Sequence, residues 1–291
     1  MGKYELTSMK DMLAKAKKEK YAVGQYNINN LEWTKSVLLA VKEANSPAIL
    51  GVSEGAAKYM GGFETVANIV KSLMKFYEIT QPVALHLDHG SSYESCKSAL
   101  EAGFTSVMID GSEHPIDENV KVTQKVVKLA KKYKASVEAE VGTVGGVEDG
   151  VVGSGVTYAK LEECQKISKT GIDALAASLG SVHGHYKGEP NLGFDQMAEF
   201  SNAFSQPLVL HGGSGIPEDM IKKAINNGES KINVNTEIQE AFTAAVRQYI
   251  TDKKDKELGG YDPRKVLKQA GIDMTAKVIE KMKLFGSYGK A

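Results

Sequence analysis

The chain has 291 residues, 42% of them hydrophobic, and its 36 basic side chains are balanced by 36 acidic ones. A net charge of zero excludes a general polyanion-binding face, because any basic surface would need an equally acidic one elsewhere, so nucleic acid is not an expected partner. Two cysteines, Cys96 and Cys164, are too few for a disulfide scaffold, and no apolar run reaches the ~18 residues of a membrane span, so a soluble cytoplasmic protein with no membrane contact is expected.

Short β-branched or apolar runs alternate with amphipathic helical patterns. Strands are predicted at 22–28, 48–52, 83–87 and 106–109, followed in turn by helices near 31–45, 62–78, 92–102 and 117–133. The second half repeats the scheme, with strands at 136–141, 174–177, 208–210 and 231–234 and helices near 159–170, 194–204, 217–227 and 236–251. Eight strand–helix units without a Pro- or Ser-rich linker favour one (β/α)8 TIM barrel over a doubly wound sheet. A single domain over 1–291 is expected, with one extra C-terminal helix near 263–285 packed outside. Cys96 and Cys164 fall on apolar helical stripes, with Tyr93 and Leu100 and with Leu161 and Ile167, and read as small buried hydrophobes.

Strand parity carries functional information. Successive side chains alternate faces, and one face of a barrel strand fills the interior. Gln25, Asn27 and Asn29 oppose Tyr26 and Ile28, Glu138 and Glu140 oppose Ala139 and Val141, and Lys231, Asn233 and Asn235 oppose Ile232 and Val234. A lumen filled only for stability would be Val, Ile and Leu. Polar groups turned inward near the C-terminal strand ends point to a site at that end of the barrel.

His89, His183 and His211 each lie at or just after a predicted strand end, and each precedes a glycine. Three neutral imidazoles with one open position suit a catalytic zinc ion, although loop histidines with ordinary hydrogen bonds would share this pattern. Parity sets His86 with Asp88 and against His89, so His86 is expected no closer than behind the ligands. Asp88 would reach the same cavity and could exchange a proton with a substrate hydroxyl. Asp110 and Glu140 end the fourth and fifth strands and could bind the metal in a second position or orient the histidines; a helix cap and a plain hydrogen-bond partner are the alternatives. After the seventh strand, His211-Gly-Gly-Ser-Gly215 leads to Pro217, and after the eighth Asn233-Val-Asn-Thr236 runs into a helix. Barrels frequently bind phosphate with these two loops, through backbone N–H groups at Gly212 and Gly213 and the hydroxyls of Ser214 and Thr236. The long Gly-rich loop from Gly142 to Gly155 has lid composition, and its Glu148 is either a mobile base or a solvated carboxylate.

Seven stretches in order resemble the class II, metal-dependent ketose-bisphosphate aldolases, closest to the shorter bacterial fructose-bisphosphate type. They are Tyr21-Ala-Val-Gly-Gln-Tyr-Asn27, Leu85-His-Leu-Asp-His-Gly90, Val107-Met-Ile-Asp110, Val137-Glu-Ala-Glu140, Gly180-Ser-Val-His-Gly184, His211-Gly-Gly-Ser-Gly215 and Lys231-Ile-Asn-Val-Asn-Thr236. The resemblance covers essentially the whole chain. It implies a catalytic Zn2+ on His89, His183 and His211, with Asp110 and Glu140 at an alternative or second metal position and room for a monovalent cation. Co2+ or Fe2+ could substitute at imidazole ligands. It implies Asp88 as the group serving the C4 oxygen and Glu148 as the group serving C3. Gly184, Gly212, Gly213, Ser214, Asn233, Val234, Asn235 and Thr236 would hold dihydroxyacetone phosphate, and Ser53 would contact the glyceraldehyde phosphate half. The implied reaction is reversible cleavage of fructose 1,6-bisphosphate in glycolysis and gluconeogenesis, with tagatose 1,6-bisphosphate as the alternative substrate. The run Tyr261-Asp-Pro-Arg264 resembles one that reaches a neighbouring subunit's phosphate site, so a homodimer or homotetramer is expected. Ala177 and His185 stand where the resemblance leads one to expect proline. A Schiff-base aldolase on inward-pointing Lys231, a zinc hydrolase and a non-catalytic sugar-phosphate binder are the rival readings.

Overall fold

The computed structural model describes residues 4–148, 151–152, 155–186 and 188–291, with the side chains of Val147, Glu148, Val151 and Val152 outside that description. From the N-terminus the elements are α1 (Lys10–Glu19), β1 (Val23–Asn27), α2 (Leu31–Ala44), β2 (Ala48–Val52), α3 (Glu54–Tyr59), α4 (Phe63–Phe76), β3 (Val83–Gly90), α5 (Tyr93–Ala102), β4 (Ser106–Ile109) and α6 (Ile116–Tyr133). There follow β5 (Ser136–Val141), β6 (Gly145–Glu148), β7 (Val151–Val152), α7 (Leu161–Ser168), β8 (Ala174–Ala177), β9 (Val182–His183), α8 (Phe194–Ala203) and β10 (Leu208–Leu210). The chain ends with α9 (Glu218–Asn226), β11 (Glu229–Val234), α10 (Thr236–Thr251), α11 (Pro263–Val266) and α12 (Lys268–Leu284).

Eight parallel strands close into a barrel in the order β1-β11-β10-β8-β5-β4-β3-β2. This is the (β/α)8 TIM architecture expected from the alternating pattern, and six of the eight strands match their predicted limits to within one residue at each end. Parity sorts the side chains as anticipated. Tyr26, Leu50, Val141, Ile232 and Val234 face outward into the layer shared with the helices. Val23, Ile49, Ala84, Ala174, Ala176 and Val209 face inward, where they meet Met12, Leu13 and Ala16 of α1. That helix was not expected. It plugs the N-terminal end of the barrel, and its apolar positions are sparse among lysines. The extra C-terminal helix is present as α11 and α12, and α12 packs on α2 and α10 outside the barrel. No helix among the described residues is long and apolar enough to cross a membrane.

A second, three-stranded sheet, β7-β6-β9, lies over the C-terminal end of the barrel. Its β6 pairs in parallel with β9, with Gly146 opposite His183. The Gly146 backbone has φ +95°, and a Cβ there would stand 2.1 Å from the His183 carbonyl oxygen, so only glycine permits this approach. The Gly-rich loop is therefore tied by its backbone to the segment that carries His183.

Candidate active site

The six-residue stretch from Leu85 to Gly90 resolves the parity conflict. β3 runs on to Gly90, and its register against β4 shifts between Leu87 and Gly90. His89 has φ +48°, a left-handed conformation that costs a non-glycine residue roughly 1–2 kcal/mol. Strict alternation would turn Asp88 inward and His89 outward. The irregularity brings both to the mouth of the barrel, which period-2 reasoning could not show.

His89, His183 and His211 converge, with ligand nitrogens all within 4.8 Å of one another. Ring centroids are 5.2 Å apart for His89 and His183, 4.7 Å for His89 and His211, and 5.8 Å for His183 and His211. Two carboxylates set the ring orientations. His89 Nδ1 is 2.8 Å from Asp110 Oδ2, and His211 Nε2 is 2.9 Å from Glu138 Oε1. When each ring donates to its carboxylate, the other nitrogens, His89 Nε2 and His211 Nδ1, face one another as acceptors at 3.1 Å. Two lone pairs at that distance repel unless a proton or a metal ion sits between them. Two nitrogens on one tetrahedral zinc would stand about 3.3 Å apart, given Zn–N bonds of ~2.0–2.1 Å. The donor set fits a divalent ion of zinc's preferences.

The charge balance favours the same conclusion. Asp88, Asp110, Glu138 and Glu140 surround the histidines, and among the described residues Lys231 is the one ammonium beside them, leaving three formal negative charges there if the rings are neutral. Burial works against charge on His89, but the Asp110 bond and the carboxylates of Asp88 and Glu140 outweigh it and push the ring up to about 10. His183 is pushed the other way, to about 3, by burial and by His89 and His211 beside it, so its ring stays neutral at neutral pH. Burial and the neighbouring Asp110 raise Glu140 well above the usual carboxylate range. Glu140 Oε1 accepts from the Val144 amide at 3.3 Å, and Oε2 lies 4.0 Å from His89 Nδ1. Together with His89 and Asp110 it makes a second group of close ligand atoms. Asp110 also accepts from the amide and hydroxyl of Ser112, at 3.1 and 2.6 Å.

Asp88 is buried beside this cluster. Asn27 Nδ2 donates to its Oδ2 at 3.2 Å, while Oδ1 has no hydrogen bond among the described residues. Burial would raise its pKa, but the positive fields of His89, His211 and Lys231 hold the carboxyl below the usual carboxylate range. His86 lies one layer deeper, fully buried, with Nδ1 2.7 Å from Ser106 Oγ.

The two glycine-bearing loops close around Ser214. Its hydroxyl accepts from the amides of Asn235 and Glu237, at 3.3 and 3.5 Å, and so caps the start of α10. Gly212 has φ +63°, and a Cβ there would strike the Val182 carbonyl at 2.2 Å. The Gly213 amide, expected to face an anion, instead donates to Asn233 O at 2.9 Å, and the Gly215 amide donates to Glu237 Oε1 at 2.7 Å. The small size of Gly213 lets the loop close on Ile232. Asn233 Nδ2 stands 3.2 Å from His211 Nδ1. Gly184 follows His183 with φ +81°, Val234 lies in the outer core layer, and Thr236 opens α10. Ser53 sits at the end of β2 and accepts from the Ala56 amide at 3.1 Å as the cap of α3. The backbone of Glu148 lies in β6, but its side chain is outside the described residues, so its expected role has no geometry here.

Two residues of the site were given no role by sequence reasoning. Glu138 was read only as turned inward with Glu140, and its bond to His211 is a property of the closed barrel. Tyr186 donates its hydroxyl to Gly212 O at 2.9 Å and accepts from the Val182 amide at 3.2 Å, clamping the His183 segment to the His211 loop. Nothing in its sequence context marked it. Arg264 lies apart from this cluster, bonded to Asp262 with its side chain 89% exposed. It lines a groove of about 780 Å3 between α2 and α11–α12, outside the barrel.

A family model described as "Fructose-bisphosphate aldolase class-II" matches residues 7–290. A relative named fructose-bisphosphate aldolase, from Geobacillus stearothermophilus, is 59% identical over 287 residues, covering 98% of this chain and 99% of the relative. A probable fructose-bisphosphate aldolase from Bacillus subtilis is 58% identical over 287 residues with the same coverage. Among solved structures, the YdjI aldolase from Escherichia coli K12 superposes with a TM-score of 0.85 at 31% identity, over 99% of this chain and 100% of that one. The fructose-bisphosphate aldolase of Campylobacter jejuni gives a TM-score of 0.84 at 25% identity, over 99% and 97%.

Proposed function

The chain belongs to the class-II fructose-bisphosphate aldolase family, and on that premise we propose that it is a cytoplasmic enzyme cleaving fructose 1,6-bisphosphate reversibly to dihydroxyacetone phosphate and glyceraldehyde 3-phosphate. The observation that carries this reading is the convergence of His89, His183 and His211 beside the carboxylate of Asp88. The family is metal-dependent. His89 Nε2, His211 Nδ1 and His183 would hold a Zn2+ ion, with Asp110 and Glu140 at an alternative position. When bound, the ion would act as a Lewis acid on the ketose carbonyl, worth several kcal/mol of charge stabilisation.

The chain's own groups supply the rest. Asp88 is ionised at neutral pH and anchored on one oxygen by Asn27, which leaves Oδ1 to take the C4 hydroxyl proton during cleavage and return it during condensation. Glu148 is proposed to deliver a proton to C3 from the loop that β6 ties to His183. Gly184, Gly212, Gly213, Ser214 and the Asn233–Thr236 turn are proposed to position one phosphate half, with Gly213 acting through loop shape, and Ser53 the other half. Lys231 is a poor candidate for a Schiff base, because its ammonium is fully buried 2.8 Å from Glu138 Oε2. The proposed assembly is a homodimer or homotetramer, with exposed Arg264 positioned to meet a neighbour.

A coupled assay for triose phosphate, run on purified protein with and without chelator, tests the reading. Activity on fructose 1,6-bisphosphate that falls to background with chelator and returns with Zn2+ supports it. Activity that survives chelation but is lost on borohydride treatment with substrate would replace it with a Schiff-base mechanism. Parallel kcat/KM values decide between fructose and tagatose bisphosphates, and the fructose sugar is expected to win, as the names of the close relatives suggest.

A further inference from the structure

Beneath the three histidines the lumen contains a buried ion pair that the proposed reaction does not use. Lys231 Nζ lies 2.8 Å from Glu138 Oε2, and both side chains are fully buried. The two residues come from β11 and β5, which are separated in the barrel by β10 and β8, so the pair crosses the lumen and does not follow one strand edge. The two oxygens of Glu138 are divided between partners. Oε1 accepts from His211 Nε2 at 2.9 Å, and Oε2 faces Lys231, with His86 Nε2 farther off at 3.8 Å. A carboxylate held at one oxygen only can rotate about its terminal bond, whereas one held at both cannot.

We infer that Lys231 is a positioning residue for metal binding, whose ammonium locks the Glu138 carboxylate so that it holds His211 with Nδ1 turned to the ion. This inference rests on the three-histidine metal site proposed above. A buried carboxylate stripped of its cation is strongly disfavoured where it stands, so without Lys231 the Glu138 side chain has reason to turn toward His86 and release the His211 ring. Partners of this kind behind a ligand histidine typically change metal affinity about 10–100-fold. Asp110 plays the matching part for His89, but its side chain is 22% exposed and also accepts from Ser112, so it needs no buried ammonium. The difference explains why a lysine sits at the centre of an otherwise anionic site without being available to the substrate.

The test is metal affinity, read by competition with a chromophoric chelator, together with the visible spectrum of the Co2+-loaded protein. Lys231→Met is expected to bind Zn2+ about 10–100-fold more weakly and to alter the Co2+ spectrum, while KM for the sugar bisphosphate at saturating metal stays near the wild-type value. Glu138→Gln should show the same loss, and the double variant no more than Glu138→Gln alone. Lys231→Met with unchanged affinity and spectrum would overturn the inference. If that single variant does not fold, the double variant, which removes both buried charges, decides: affinity equal to that of Glu138→Gln supports the relay, and a further tenfold loss contradicts it. His211→Ala separates the two levels. If it leaves Zn2+ affinity intact, the three-histidine site fails, whereas a loss there without a loss in Lys231→Met removes only the role of Lys231.

Discussion

Val23, Ala84 and Val209 line the closed end of the barrel, and two residues further along the chain stand Gln25, His86 and His211. At the closed end the strands meet Met12, Leu13 and Ala16 of α1, and packing supplies the energy. The open end gathers four carboxylates and three convergent imidazoles, from the barrel strands, the loops after them and β9, an arrangement that charge repulsion and burial both disfavour. One end stabilises the fold, and the other holds a polar cluster that could bind a cation, at a cost in stability. The division predicts that perturbations should separate cleanly, with stability effects at the closed end and metal or rate effects at the open end.

The sharpest way to break this division is Asp88→Ala. It should retain metal, since Asp88 is not among the clustered ligand atoms, yet lose about 10²–10⁴ in kcat as a proton-transfer group. Near-normal turnover in the coupled assay would reject that role. At the other end, Leu13→Ala empties a fully buried position and should cost about 2–5 kcal/mol in chemical denaturation, with kcat and Zn2+ affinity unchanged. A large rate effect there would mean that the two ends are coupled.

How far the sequence anticipated this division depended on periodicity. Strand 106–109 was legible residue for residue as a short apolar run that ends at Asp110, and 136–141 through the alternation of Val137, Ala139 and Val141 with Ser136, Glu138 and Glu140. The convergence of His183 and His211 could be anticipated from their place after predicted strand ends. α1 was not, because only Met12, Leu13 and Ala16 of its ten residues are buried and lysines interrupt the stripe. The pairing of Asp88 with His89 depends on a left-handed backbone at His89, which residue identity did not announce. Glu138 and Lys231 had the right parity, but their mutual contact is a property of the closed lumen.

One group at the closed end departs from its apolar surroundings. Glu229 is buried there with Oε2 lacking a hydrogen bond among the described residues, and burial pushes its carboxyl up to about 8. Its folded pKa lies above the unfolded value of about 4.3, so its contribution to stability is complete below that value and fades as pH rises toward 8. Stability should therefore decline between about pH 5 and pH 8 by up to ~1.4 kcal/mol per pH unit from this group. Glu229→Gln should flatten the Tm-against-pH profile in that window, and an unchanged slope would show that Glu229 does not set it.

The smallest expected effect sharpens the role of Ser53. Removing its hydroxyl in Ser53→Ala should cost about 1 kcal/mol through the lost cap of α3. An accompanying rise in KM for the sugar bisphosphate would support substrate contact, and an unchanged KM would leave Ser53 as a helix cap alone.

The most direct test of the metal centre is anomalous diffraction from crystals of the zinc-loaded protein, with data collected on both sides of the zinc absorption edge. One strong peak within about 2.0–2.1 Å of His89 Nε2, His211 Nδ1 and a His183 nitrogen is the expected result. A peak elsewhere, with those nitrogens bonded only to protein groups, would contradict a catalytic ion at this end of the barrel.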